Sequence, residues 1–139
     1  MEPLTVPGTL DSLGAIASYV MEAAKQACLD KKASYKLRLA VDEIATNIII
    51  HAYQEADCEG LVDLRADIDD RSLTICIEDS GIAFNPLEQL PLEEENLNKP
   101  LKERPIGGLG LYLAVDGVDH FFYERKDERN RNTFVVDRK

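Results

Sequence analysis

Apolar residues at Leu10, Leu13, Ile16, Ala17, Val20, Ala24, Ala27 and Cys28 recur every three or four positions, the period that lines one face of a helix. The pattern predicts a helix from Leu10 to Leu29, with Asp11 or Ser12 placed to cap its start. A second helix is predicted from about Ser34 to Gln54, its buried stripe formed by Leu37, Ala40, Val41, Ile44, Ala45, Ile48, Ile49 and Ala52. Glu43, Asn47 and His51 fall four residues apart beside that stripe. After Gly60 the period drops to two. Val62, Leu64, Ala66 and Ile68 alternate with Asp63, Arg65, Asp67 and Asp69, which predicts a strand with one face in water. Asp70-Arg71 predicts a tight turn, and the strand beyond it puts Leu73, Ile75 and Ile77 on one face and Thr74, Cys76 and Glu78 on the other. Continued, the alternation sends the carboxylate of Asp79 to the apolar side.

Asn85 to Arg104 holds Pro86, Pro91, Pro100 and a Glu93-Glu94-Glu95 run, and reads as a loop of the length that compact domains reserve for lids and binding segments. A third helix is expected to open at Gly107-Gly108 and to stop near Gly117. Val118 to Glu124 and Asn132 to Val136 read as closing strands joined by a charged turn around Lys126 to Asn130. With a short first strand at Leu4 to Val6, the order is β-α-α-β-β-loop-α-β-β. That order predicts an α/β (α+β) two-layer sandwich, its sheet antiparallel or mixed and its helices on one face.

Composition narrows the class. The chain has 139 residues, enough for one core, and is read as a single domain over residues 1–139. No apolar run approaches the ~18 residues of a membrane span. The start, Met1 to Gly8, lacks a basic stretch followed by an apolar one, so a cytoplasmic chain is expected. A net charge of −10 repels phosphate backbones and anionic lipid, which argues against nucleic acid or a membrane as partner. A nucleotide remains admissible, because a few oriented amides and one Mg ion outweigh a repulsive field that salt screens beyond ~10 Å. Cys28, Cys58 and Cys76 have no Cys-x-x-Cys spacing, and are expected to be reduced and structural. His51 and His120 share no metal-ligand spacing with them.

Three segments carry candidate chemistry, and each has a plainer alternative. Glu43 and Asn47, at i and i+4 on a helix, converge on one patch and suit a metal-phosphate group, although the same spacing also describes a solvated helix edge. Asp79-Ser80-Gly81 is an ordinary turn sequence, but a carboxylate that faces an apolar layer needs donors, and an adenine amino group is one. Phe84 and Pro86 would then wall the pocket. Gly107-Gly108-Leu109-Gly110 at a helix start lets backbone N–H groups approach an anion at the positive end of the helix dipole, or else serves as a glycine-rich hinge. The spacing matches neither the dinucleotide nor the P-loop glycine pattern.

Their conjunction, Glu43-Ile-Ala-Thr-Asn47, then Asp79-Ser80-Gly81-Ile-Ala-Phe84, then Gly107-Gly108-Leu109-Gly110-Leu111, resembles the anti-sigma-factor serine/threonine kinases of the Bergerat-fold (histidine-kinase-like ATPase) superfamily over nearly the whole chain. The resemblance implies an ATP-binding sandwich with a long lid, and ATP and Mg2+ as cofactors. Asn47 would hold the Mg ion, Asp79 would accept from the adenine amino group, and Gly81 would let the backbone pass close to the base. Gly107, Gly108 and Gly110, with Leu109 and Leu111 between and after them, would line the phosphates, and Thr133 would support the adenine end from a late strand. Glu43 matches the carboxylate thought to act as base toward a serine of an anti-anti-sigma (STAS-domain) partner, and Arg104 matches a lid arginine near the terminal phosphate. Where the family often shows a second glycine, Ala83 stands, narrowing the pocket by a methyl. A homodimer is implied, and a sigma factor is a further partner. The other reading is a catalytically weak, nucleotide-gated module that sequesters a sigma factor or another regulator.

Overall fold

The computed structural model describes residues 1–86 and 117–138. The chain enters as a short strand, β1 (Leu4–Pro7), and a 3-10 turn at Leu10–Ser12 leads into helix α1 (Leu13–Gln26). Neither expected cap forms. The Ser12 hydroxyl donates instead to the Pro7 carbonyl at 2.7 Å, tying the helix start to β1. Helix α1 ends in a Schellman turn, with Cys28 N–H bonded to the Lys25 carbonyl and Leu29 N–H to that of Ala24, both at 3.0 Å. Cys28 holds the left-handed position of that turn at φ 59°.

Helix α2 (Lys31–Asn47) starts three residues before the expected Ser34, because the Asp30 side chain accepts from Ala33 N–H at 2.7 Å and caps it. Its final stretch, Ile48–Gln54, is wound as a π-helix rather than an α-helix. A second Schellman turn closes it, with Asp57 at φ 54° and the Cys58 N–H bonded to the Tyr53 carbonyl at 2.9 Å. Cys28 and Cys58 are therefore exposed residues of helix termini, and all three cysteines are free thiols.

Strands β2 (Leu61–Ile68) and β3 (Ser72–Asp79) pair as a hairpin whose turn is held by Asp69, the side chain accepting from Arg71 and Ser72 N–H at 2.8 Å. Strands β4 (His120–Lys126) and β5 (Arg129–Asp137) form a second hairpin. Their turn is not the broad one expected from Lys126 to Asn130. It is a two-residue connection, Asp127-Glu128, both with positive φ, and Asn130 already lies in the strand. Positive φ at both central positions matches the strand twist of a tight hairpin. The five strands form one antiparallel sheet in the order β1-β2-β3-β5-β4.

Alternation sorts the sheet into two faces. Val62, Leu64, Ala66, Leu73, Ile75, Ile77, Phe134 and Val136 point inward and join Ile16, Val20, Leu37, Val41 and Ile44 of the helices in a single core. The opposite face carries Asp63, Arg65, Glu78, Arg131 and Thr133, laced by ion pairs of Arg129 to Asp63 and of Arg131 to Glu78 and Glu124. Both helices thus cover one face, as the amphipathic stripes require. Tyr53, fully buried, joins the layers. Its hydroxyl donates to the Leu61 carbonyl at 2.7 Å and accepts from Ser80 N–H at 2.9 Å, fixing where β3 ends relative to the helix.

Candidate functional site

Strand parity carries Asp79 to the inner face, and the structure buries it completely. Its Oδ1 accepts from Gly81 N–H and from the Asn130 side-chain amide, both at 2.9 Å. Its Oδ2 is buried with no hydrogen-bond partner among the described residues. Burial raises the Asp79 pKa, opposed by the Asn130 and Gly81 hydrogen bonds and by the charges of Arg125 and Arg129. Beside it on the same face lies Asn132, buried, with both ends of its amide unpaired among the described residues. Asn132 sits opposite Ile77, two residues along β3 from Asp79, so the two side chains are diagonal neighbours, roughly 7–8 Å apart. Each buried polar group left unpaired costs about 1–3 kcal/mol. A ligand edge with an N–H donor beside a ring-nitrogen acceptor would pair with both groups.

The segment after Asp79 is pressed onto the end of the long helix. Ile82 N–H bonds to the Ala52 carbonyl at 3.2 Å, and the Phe84 ring stacks on His51 with centroids 5.0 Å apart. A Cβ on Gly81 would sit 2.6 Å from the Ala52 carbonyl oxygen and 2.7 Å from its methyl, so the close approach that demands glycine is made to the helix. Ala83 is exposed, and the methyl that departs from the glycine pattern is not packed into the core. Arg125 of β4 donates to the Gly81 carbonyl at 2.8 Å and closes the far side of the turn.

Glu43 and Asn47 lie half-buried on α2, Asn47 about one turn before His51. Burial raises the Glu43 pKa. Among the described residues neither side chain makes a hydrogen bond. No cluster of three His, Cys, Asp or Glu that could hold a metal alone occurs among the described residues. Magnesium prefers oxygen ligands and retains waters, so an unspent amide oxygen fits it when phosphates supply the rest.

Thr133 is not brought to this place. It pairs with Cys76 and Phe122 on the outer face, its hydroxyl 3.9 Å from the Cys76 sulfur, with the sheet between it and Asp79. The polar residues that β5 does send inward are Asn130 and Asn132. Asn130 was missed because the turn was expected to extend to it, and Asn132, at the first position of the expected strand, was not singled out. Two asparagines in phase with Phe134 and Val136 are the signal that would have found them. Arg104, Gly107, Gly108, Leu109, Gly110 and Leu111 lie outside the described residues.

Comparisons with known proteins agree with this fold. A family profile described as histidine kinase-like ATPase domain matches residues 6–136. The anti-sigma F factor of Clostridium beijerinckii is 34% identical over 103 residues, 74% of this chain and 68% of the relative. The serine-protein kinase RsbW of Bacillus cereus is 37% identical over 85 residues, and the matched part is 60% of this chain and 51% of that protein. Among solved structures, the histidine kinase domain of an Erythrobacter litoralis blue-light activated histidine kinase superposes with a TM-score of 0.58 at 18% identity, covering 92% of this chain and 60% of that one. The Acinetobacter baumannii histidine kinase AdeS gives 0.52 at 11% identity, covering 100% of this chain and 70% of that one. At such identities the structural likeness speaks for the fold alone.

Proposed function

Because the chain belongs to the histidine kinase-like ATPase domain family, we propose that it binds Mg-ATP and acts as an anti-sigma factor that phosphorylates a serine of a STAS-domain partner. The observation that carries this reading is the buried, unspent Oδ2 of Asp79 beside the unpaired amide of Asn132. Together they complement the amino group and ring nitrogen of adenine, and a protein gains nothing from burying such groups unless a ligand pairs them. Relatives named for anti-sigma and serine-kinase activity support the assignment of process and reaction.

In this reading Asp79 and Asn132 bind the base and Asn47 helps hold the magnesium. A magnesium ion held there would neutralise charge on the triphosphate, and transfer of the terminal phosphoryl group depends mainly on positioning and electrostatics. By the family resemblance Gly107, Gly108 and Gly110 would line the phosphates, and Arg104 would serve the terminal one. Glu43 takes the proton of the attacking serine. Its half-buried carboxylate has no hydrogen-bond partner among the described residues, and the pKa raised by burial makes it a better base. A homodimer and a cytoplasmic setting belong to the same proposal; no described helix is long and apolar enough to cross a membrane.

The test is transfer of label from radioactive ATP, with Mg, to a STAS-domain substrate. Glu43→Ala should lower transfer by about 100-fold or more, within the range general bases contribute, while calorimetry shows ATP affinity within about threefold of wild type. Transfer requires the ionised base, so the rate should fall as pH drops through the Glu43 pKa, and that limb should lie above the ordinary glutamate range. Equal loss of binding and transfer in Glu43→Ala would remove the base assignment. ATP binding without any labelled partner would leave the sequestering module as the reading.

A further inference from the structure

Asn130 spends its whole hydrogen-bonding capacity on the segment that follows β3 and on its neighbour in β4. Its amide nitrogen donates to Asp79 Oδ1 at 2.9 Å and to the Ile82 carbonyl at 2.8 Å. Its oxygen accepts from the Tyr123 hydroxyl at 2.6 Å and from Phe84 N–H at 3.2 Å. Two donors and two acceptor sites are the full inventory of an asparagine side chain. The partners also fix its orientation, because an exchange of oxygen and nitrogen would set an N–H group against the Phe84 N–H and the oxygen against two acceptors. Asn130 is 1% exposed and stands in β5 directly opposite Asp79.

From this network we infer that Asn130 is the positioning residue for base recognition: it occupies one oxygen of Asp79, turns the other toward the ligand, and holds Ile82 and Phe84 in place around it. The inference rests on the nucleotide reading above and deepens it by naming what sets selectivity for a 6-aminopurine. A carboxylate whose Oδ1 is engaged by Asn130 and by Gly81 N–H cannot rotate without breaking both bonds. Oδ2 is thereby presented as a fixed acceptor, which favours a 6-amino group and repels a 6-oxo group. Without Asn130, of the described partners only the Gly81 N–H restrains the carboxylate, and the loop loses the hydrogen bonds at the Ile82 carbonyl and the Phe84 N–H, keeping its contacts to the helix at Ala52 and His51. The selectivity therefore resides in a residue that need not touch the ligand.

The experiment measures dissociation constants of Mg-ATP and Mg-ITP by calorimetry for the wild-type chain and for Asn130→Ala, with thermal unfolding recorded in parallel. The wild type should prefer ATP by on the order of 10- to 100-fold, the strength of a hydrogen bond to a charged group. In Asn130→Ala the preference should fall to about threefold or less, mostly through weaker ATP binding, with ITP affinity within about threefold of wild type. A merely structural role would weaken both nucleotides alike and keep the ratio, and that result would overturn the inference. If Asn130→Ala does not fold, Tyr123→Phe decides: loss of one bond to the Asn130 oxygen should lower the ratio severalfold, and an unchanged ratio would overturn the inference too. A wild-type chain that binds neither nucleotide refutes the nucleotide reading itself, whereas ATP binding with the ratio intact in the variants refutes only the role of Asn130.

Discussion

Asp79 is held at a cost to the fold. A buried carboxylate with one oxygen unpaired and a raised pKa destabilises the native state most when ionised. The penalty is absent below the ordinary aspartate range, where both states are protonated, and grows as pH rises through the raised native value. Asp79→Asn removes the charge and keeps an oxygen for Gly81 and Asn130. It should raise the melting temperature at pH 7 by about 3 °C, for a gain on the order of 1 kcal/mol, and the gain should shrink as the pH is lowered toward the ordinary aspartate range. The same variant should lose the stabilisation that Mg-ATP gives the wild type, about 2.7 kcal/mol at 100 times the dissociation constant. Both effects are read from melting curves with and without nucleotide, and an Asp79→Asn chain still stabilised by ATP would contradict the role given to this carboxylate. The inward direction of Asp79 was legible, because the alternating residues of one strand lead directly to it. Thr133 was placed by motif resemblance instead, and parity put it on the other face.

At the scale of elements, the helix ends carry strain that glycine would release. Cys28 and Asp57 occupy the left-handed positions of two Schellman turns, and Glu128 the second position of the tight hairpin turn. A non-glycine residue there costs roughly 1–2 kcal/mol, partly offset by the greater unfolded-state freedom of glycine. Cys28→Gly and Glu128→Gly should therefore each stabilise the fold by about 0.5–1 kcal/mol, and Asp57→Gly by less, since aspartate tolerates this conformation. Urea midpoints should rise with unchanged slopes. Gly81→Ala should act oppositely, destabilising by about 1–3 kcal/mol through overpacking against Ala52. The helix stripes and strand alternation were readable because burial imposes a period. The start of α2, the tight hairpin turn and the π-helical stretch were not, because each is set by a cap or a backbone angle with no periodic signature.

At the scale of the whole molecule, the strand order places β3 between β2 and β5, while β1 and β4 form the edges. Native-state hydrogen exchange should find the slowest amides in β3 and its two neighbours, with β1 and the outer half of β4 opening at lower free energy. Slowest exchange in β1 would contradict this hierarchy. The sandwich followed from the order of elements, since two amphipathic helices and alternating strands have one economical way to bury their faces. In the proposed function the phosphate end of the site would rest on residues from Arg104 to Leu111, outside the described residues, so the base end bears the structural argument. There, chemistry from the end of one hairpin and from the tip of the other is gathered under the last turn of a single helix.

That last turn also limits how the sequence can be edited. The π-wound stretch Ile48–Gln54 contains more backbone per turn than a regular helix, whose residues advance by about 100° each. Removing one residue there and letting the helix relax to ordinary winding would leave the chain beyond it roughly in phase, because the wider turn holds about one residue more than a regular one. An added residue has no such compensation: it would turn Ala52 and His51 by about 100° relative to Asn47, away from Gly81 and Phe84. Length in this stretch is therefore under a stricter constraint on insertion than on deletion.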